Sequence, residues 1–356
     1  MTAIYITADT VGTPSGGGAV TFHESEALRE TFGEVSVLDG KSLAPLLQGL
    51  PETPFLADYM AAWKVGQLLK ESRTERPKLA HFYSGTFTAT VRVLKSYSIP
   101  VSYTVPAHDR HATVEEFERL GLVYPYPHIK EDRLWKVFSQ GYRDADLVIA
   151  PSQASAEFLR AEGCGQVKVI PHGCTIPEKV APFPQQFTPA YLGQVGPDKG
   201  LIYLLQAWSG LSYANATLVL AGPGTEALGP WIQHIAGRGK FHLKGWVQEA
   251  REVYDGCSVY VQPSVCESFG IEILEALAHG RPVIVSQGAG ASELVEEGMT
   301  GFVVPIRDPS ALAEKIDWCR HNPDRLVEMG ARGRERAREF TWEHVRAMYR
   351  DAWRFA

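Results

Sequence analysis

The sequence predicts an α/β protein of two domains, each a parallel sheet covered by helices. At 356 residues the chain is too long for one ordinary core. Short apolar runs alternate with segments of helical period from one end to the other, the pattern of strands joined through helices. A cluster of proline and glycine near the middle, which suits neither helix nor strand, marks the boundary.

In the first half the strands are expected near Ile4–Ala8, Val35–Leu38, Leu79–Tyr83, Val101–Val105, Leu147–Ala150 and Val167–Ile170. In the second half they are expected near Ala190–Leu192, Thr217–Ala221, Lys240–Leu243, Val259–Gln262, Pro282–Val285 and Gly301–Val304. The break is Ile170-Pro-His-Gly-Cys-Thr-Ile-Pro177 with Pro182, Pro184 and Pro189, read as a hinge. Beyond Pro309 the chain turns helical. Thr341 is a plausible N-cap for a last helix whose apolar face carries Val345, Met348, Tyr349 and Trp353.

Composition bounds the function. The chain is 45% hydrophobic and 21% charged, the balance of a globular protein. Before His172 there are 17 Lys and Arg against 20 Asp and Glu, and after it 18 against 21. Neither half carries the basic surplus of a nucleic-acid binder. No apolar run reaches membrane-spanning length and the N-terminus reads as a strand, so a cytoplasmic protein is expected, with peripheral membrane contact left open. The cysteines Cys164, Cys174, Cys257, Cys266 and Cys319 are odd in number and never spaced C-x-x-C, which predicts reduced thiols and no zinc site.

The most informative segment runs from Val261 to Val285, a strand, a loop, a helix and a strand, with Glu267 in the loop and Glu275 in the helix. If the helix starts near Ser268 or Phe269, Glu267 lies at its positive end, and Gly270 lets an anionic ligand approach the free amides. Glu275 then lies about 12 Å further along the axis at 1.5 Å per residue, a span compatible with a nucleotide sugar. Taken alone, two such glutamates are more often a solvated loop residue and a helix-surface residue.

The whole string, however, resembles the signature of family-4 retaining glycosyltransferases of the GT-B fold, in which two glutamates separated by seven residues follow a Pro-Ser and flank a Phe-Gly. The resemblance implies two Rossmann-like domains facing across a cleft, with the C-terminal helix crossing back to the N-terminal domain. The domains would be residues 1–172 plus 341–356 on the acceptor side and 173–340 for the donor. It further implies that Glu267 contacts the donor sugar, Glu275 the ribose, and the amides around Ser268, Phe269, Gly270 and Ile271 the diphosphate.

Other segments join on weaker grounds. Ser15-Gly-Gly-Gly-Ala19 precedes a helix expected from about Ala19; Gly16, Gly17 and Gly18 make either a tight turn or a phosphate-lining loop, as in the family. His108, in Thr104-Val-Pro-Ala-His-Asp109, follows a strand where open sheets bind ligands; it is a structural histidine or, by the resemblance, an acceptor-side catalytic residue. Lys199, in Gly193-Gln-Val-Gly-Pro-Asp-Lys-Gly200, can reach a diphosphate. The family has arginine where this chain has Gln194, which removes a positive charge from the donor site.

Asp144-Ala-Asp146 sits at a helix-to-strand junction, and no metal is expected there. Ser152 reads as an N-cap for the helix of Phe158 and Leu159. Leu122–Ile129 interleaves aromatics with prolines and suits either sugar stacking or loop packing. Gly288-Ala-Gly-Ala-Ser-Glu293 resembles the family's donor-side glycine loop, and the main chain near Gly245-Trp-Val247 is where such folds contact the base.

The expected activity is retaining transfer of a sugar from a nucleoside diphosphate sugar to a saccharide, lipid-linked or small-molecule hydroxyl. Glu267, Lys199 and His108 are its candidate catalytic groups, with no cofactor. A GT-B sugar-nucleotide epimerase or hydrolase is the alternative within enzymes. A sugar-nucleotide-binding protein of weak activity is the alternative that Gln194 motivates.

Overall fold

The computed structural model describes all residues except 1–2, 9–10, 12–14, 40, 43–53, 72–75, 86, 126–129, 212, 226–239 and 356. Its contacts divide the chain into two compact units. One comprises Met1–His108, Pro125–His172 and Trp342–Ala356; the other comprises Asp109–Tyr124 and Gly173–Thr341. The proline-rich segment contains the crossing between units at His172 and Gly173. Pro189 is not part of that break but the first residue of a strand, a position where the missing N–H is tolerated.

The first unit holds a six-stranded parallel sheet, β1 (Ala3–Thr7), β2 (Val35–Leu38), β3 (Leu79–Tyr83), β4 (Val101–Thr104), β5 (Leu147–Ala150) and β6 (Val167–Val169), in the order β2-β1-β3-β4-β5-β6. The second holds β7 (Pro189–Leu192), β8 (Leu218–Ala221), β9 (Phe241–Gly245), β10 (Val259–Gln262), β11 (Val283–Ser286) and β12 (Gly301–Val304), in the order β12-β11-β10-β7-β8-β9, again parallel. Strands such as β1, β3, β10 and β11 are buried at every residue, which is why they read as unbroken apolar runs.

Among the described residues, six helices with defined bounds lie between these strands up to β6: α1 (Gly16–Phe32), α2 (Pro54–Glu71), α3 (Thr88–Ser96), α4 (Arg110–Arg119), α5 (Asp132–Arg143) and α6 (Gln153–Ala161). Then follow α7 (Leu201–Ser209), α8 (Arg251–Gly256), α9 (Ile271–Ala278), α10 (Pro309–His321), α11 (Pro323–Ala337) and α12 (Trp342–Ala352). None is long and apolar enough to cross a membrane. All five cysteines are free and buried, and burial pushes the Cys174 thiol up to about 12.

The last helix, α12, belongs to the first unit and packs on α1. Trp342, Val345, Tyr349 and Trp353 are buried, a stripe at steps of three and four residues. Met348, expected on that face, is 37% exposed because it lies about 100° around the helix from Tyr349. Trp342 stacks on His23 of α1 at 4.3 Å between ring centroids.

Beneath this contact Glu24 is fully buried and accepts from the hydroxyls of Tyr5 at 2.7 Å and Tyr349 at 2.8 Å, with His81 Nε2 at 3.5 Å. Burial would raise the Glu24 pKa, but His81 and the hydrogen bonds outweigh it and hold the carboxyl below its ordinary value. Tyr349→Phe deletes one donor to this buried charge. It is expected to destabilise the first unit by about 1.5–3 kcal/mol in urea unfolding. An unchanged midpoint would mean that Tyr349 contributes packing alone.

Candidate functional site

The donor-side candidates converge on a loop cluster in the second unit. After β7 the chain forms a single 3-10 turn, Pro197–Lys199, and enters α7 through Gly200 at φ +67°. A Cβ at Gly200 would lie 2.0 Å from the carbonyl oxygen of Pro263, so only glycine lets the two loops meet. The carbonyl of Asp198 accepts the amides of Val265 at 2.7 Å and Cys266 at 3.2 Å, stitching the Lys199 turn to the loop that carries Glu267.

Glu267 is held on its other side by the glycine loop. Its amide donates to the Gly288 carbonyl at 2.9 Å, and its carbonyl accepts from Gly290 at 3.1 Å. A Cβ at Gly288 would stand 2.3 Å from the Val265 carbonyl oxygen, again a contact only glycine permits. The segment Gly288–Glu293 is therefore the backbone support of Glu267.

With both loops fixed, Lys199 Nζ donates to Glu267 Oε2, and Asp198 Oδ2 lies 3.6 Å from the same ammonium. The Lys199 and Glu267 side chains are only 22% and 16% exposed. Burial alone would lower the lysine pKa, but Glu267 and Asp198 reverse this and hold it above its ordinary value. Lys199 stays charged.

The helix after Glu267 begins later than its sequence suggests. Gly270, at φ +87°, caps α9, whose first residue is Ile271, so Ser268 and Phe269 are not helical. Hence the 12 Å spacing of Glu267 and Glu275 along one axis does not hold. Phe269 is 1% exposed and its carbonyl accepts from Ala291 at 2.7 Å, so its ring is core and only its backbone can face a ligand. The amides around Gly270 and Ile271, at the start of α9, are those left without intrahelical acceptors.

Glu275 lies one turn into α9, half-buried, and accepts from the Tyr254 hydroxyl at 2.7 Å. Burial raises its pKa and the Tyr254 hydrogen bond opposes that rise. Gln194 is exposed on the β7 loop, where its carbonyl accepts from the Tyr191 hydroxyl at 2.8 Å.

Two further features were not anticipated. Gly222, after β8, packs against Gly193, its amide donating to Gly245 at 2.7 Å; the Gly222-Pro-Gly224 punctuation after a strand was the available signal. Glu272, in the first turn of α9, is half-buried beside Glu267. Burial first, then Glu267, raise its pKa from 4.5 to about 7. A glutamate in a helix's first turn normally reads as a solvated dipole partner, so nothing in the string signalled this.

Other expectations fall elsewhere. Helix α1 begins at Gly16, not near Ala19, and the Gly18 amide already donates to the Ser15 capping oxygen at 3.0 Å, leaving it unavailable to a phosphate. His108 is half-buried at the end of a first-unit segment, and Asp109 caps α4. Asp146 accepts from the Val101 amide at 2.8 Å and pairs with Lys95, a sheet-end role. Ser152 caps α6 through the Ser155 amide at 3.2 Å. Of Leu122–Ile129, residues 126–129 lie outside the described residues.

Two parallel α/β units with a last helix returning to the first have the GT-B architecture. The family model described as Glycosyltransferase Family 4 matches residues 14–176, and that described as Glycosyl transferases group 1 matches residues 186–322. The chain belongs to the family-4 glycosyltransferases.

It is 34% identical over 176 residues to the alpha-maltose-1-phosphate synthase of Mycolicibacterium smegmatis, covering 44% of each chain. It is 23% identical to the sulfoquinovosyl transferase of Arabidopsis thaliana over 91% of this chain and 64% of that one. The matches thus span about half to two thirds of these relatives' own lengths. Among solved structures, sucrose-phosphate synthase from Thermosynechococcus elongatus superposes with a TM-score of 0.79 at 20% identity, covering 100% of this chain and 99% of that one. Anabaena HepE in complex with UDP superposes with a TM-score of 0.75 at 20% identity over the whole of both chains. These likenesses show the fold.

The raised pKa of Glu272 has a consequence for stability. Between its unfolded value near 4.5 and its folded value of about 7, the native state binds more protons than the unfolded state. Glu272 therefore costs stability as pH rises through that window, and the cost is complete above it. Glu272→Gln is expected to gain about 1–3 kcal/mol over wild type near pH 8 and to converge with it near pH 5. Urea unfolding of both proteins across this range checks it; parallel curves would place Glu272 in a solvated environment.

Proposed function

We propose that the protein is a retaining glycosyltransferase that moves a hexosyl group from a nucleoside diphosphate sugar to a hydroxyl of a saccharide, lipid-linked or small-molecule acceptor. The observation that carries this reading is the Lys199–Glu267 pair, fixed by backbone contacts beside the free amides that open α9. A cation and backbone N–H groups suit a leaving diphosphate, whose charge grows as the glycosidic bond breaks. Glu267, its carboxylate oriented by Lys199, suits a donor sugar hydroxyl, and Glu275 suits the ribose.

Transfer from such a donor needs a leaving group stabilised more in the transition state than in the ground state. Lys199 supplies this by shifting its attraction from Glu267 toward the departing phosphate oxygen. The family resemblance supports an acceptor-side role for His108 and a phosphate-side role for Gly16 and Gly17. It equally supports a metal-independent reaction. HepE in complex with UDP and with UDP-glucose supports uridine nucleotides as the first donors to try.

Gln194 favours a second reading, a sugar-nucleotide binder of weak activity, because it leaves Lys199 as the one cation of the described cluster. Restoring the charge separates the two. Under the transferase reading wild type turns over a donor and Gln194→Arg changes its rate modestly. Under the binder reading only Gln194→Arg does.

Equilibrium binding and donor hydrolysis should be measured across UDP-, GDP- and ADP-sugars without added metal. Saturable binding of one nucleotide class is expected, weakened about 10- to 100-fold in Glu275→Ala through loss of a charged hydrogen bond. No binding by any donor would refute the reading.

A further inference from the structure

Glu275 is half-buried, and among the described residues no Lys, Arg or His stands within ion-pair distance of it. A carboxylate withdrawn from water in this way is costly unless donors compensate it. Its side-chain donor is the Tyr254 hydroxyl, 2.7 Å from Oε2. Oε1 takes no donor from the described residues and is not enclosed. One oxygen is thus committed to the protein and the other is left to accept from a ligand.

Tyr254, on α8, is itself held from three sides. It is 1% exposed, its ring meets Tyr260 edge-on at 5.8 Å between centroids, and the same ring lies against His279 at 5.2 Å. Its carbonyl accepts from Arg281 Nε at 2.8 Å, and the buried Arg281 guanidinium also donates to the Ala181 and Asp255 carbonyls at 2.8 and 3.1 Å. His279 ends α9, and its amide donates to the Glu275 carbonyl at 2.9 Å. The ring that packs on Tyr254 and the carboxylate that Tyr254 serves therefore belong to one turn of one helix. Burial first, and then Glu275, raise the Tyr254 pKa well above its ordinary value, so the phenol keeps its proton and donates.

Resting on the function proposed above, we propose that Tyr254 is a positioning residue for the donor ribose: it pins Oε2 of Glu275 so that Oε1 is presented, already oriented, to a ribose hydroxyl. A nucleotide then meets an acceptor in place and does not have to order a flexible glutamate. Ordering such a side chain on binding costs about 3- to 10-fold in affinity. A hydrogen bond that only joined α8 to α9 would instead act alike on every ligand of this unit.

Isothermal titration of UDP-, GDP- and ADP-glucose into the full-length protein separates the two roles when each is paired with a counterpart whose dideoxyribose lacks both hydroxyls. Wild type is expected to prefer the ribose form of its nucleotide by about 10- to 100-fold. Tyr254→Phe keeps both ring contacts and removes only the hydroxyl. It should weaken the ribose form about 3- to 10-fold and leave the dideoxy form within about twofold of wild type. Placed in Glu275→Ala, the same substitution should change neither form, because the group it positions is gone. Glu275→Asp keeps the charge but withdraws it from the Tyr254 hydroxyl, and should lose most of the ribose preference with Tyr254 intact.

An unchanged ribose form in Tyr254→Phe, equal weakening of both forms, or a full effect in the Glu275→Ala background overturns this inference alone. So does a ribose preference undiminished in Glu275→Asp, a result that needs no change at Tyr254. Wild type that binds a nucleotide without any ribose preference removes the ribose from Glu275 and this inference with it. Failure of all three nucleotides to bind overturns the transferase reading as well.

Discussion

The site depends on one backbone contact, the meeting of the Lys199 turn with the Pro263–Glu267 loop. A carbonyl, that of Asp198, accepts two amides of the facing loop, and Gly200 permits a separation that any side chain would prevent. Lys199 and Glu267, 68 residues apart, are thereby presented to each other with little side-chain freedom left to lose. Preorganisation of this kind matters for transfer chemistry, because a cation already in place needs no rearrangement as the leaving group gains charge.

The two units solve a buried-charge problem in opposite ways. In the first, Glu24 is enclosed but fully supplied with donors, and it joins β1, β3 and the returning helix α12. Its charge is thus a structural tie. In the second, burial and the neighbouring Glu267 leave Glu272 with a raised proton affinity.

Much of this was legible in the sequence, for identifiable reasons. Strands buried on both faces appear as apolar runs, so each strand falls within a residue or two of its expected place. The Pro-Ser loop with its two glutamates and the Lys-Gly step drew attention to residues that the fold does bring together. What escaped depended on backbone conformation or on surroundings. The left-handed conformation of Gly270 delays α9 to Ile271, a choice a Phe-Gly dipeptide does not announce. The Gly288 loop looked like a ligand loop because close approach to a ligand and to a carbonyl demand the same residue. Glu272 resembled any first-turn glutamate, since its environment is built from Glu267 and from tyrosines on β7, β10 and α8.

The most direct measurement of the central claim is a crystal structure of the protein with an intact nucleotide sugar bound. The account predicts the diphosphate at the Gly270 and Ile271 amides within reach of Lys199, the sugar hydroxyls on Glu267, and the ribose on Glu275. A nucleotide seated elsewhere, or a diphosphate that leaves the Lys199–Glu267 pair untouched, would contradict it.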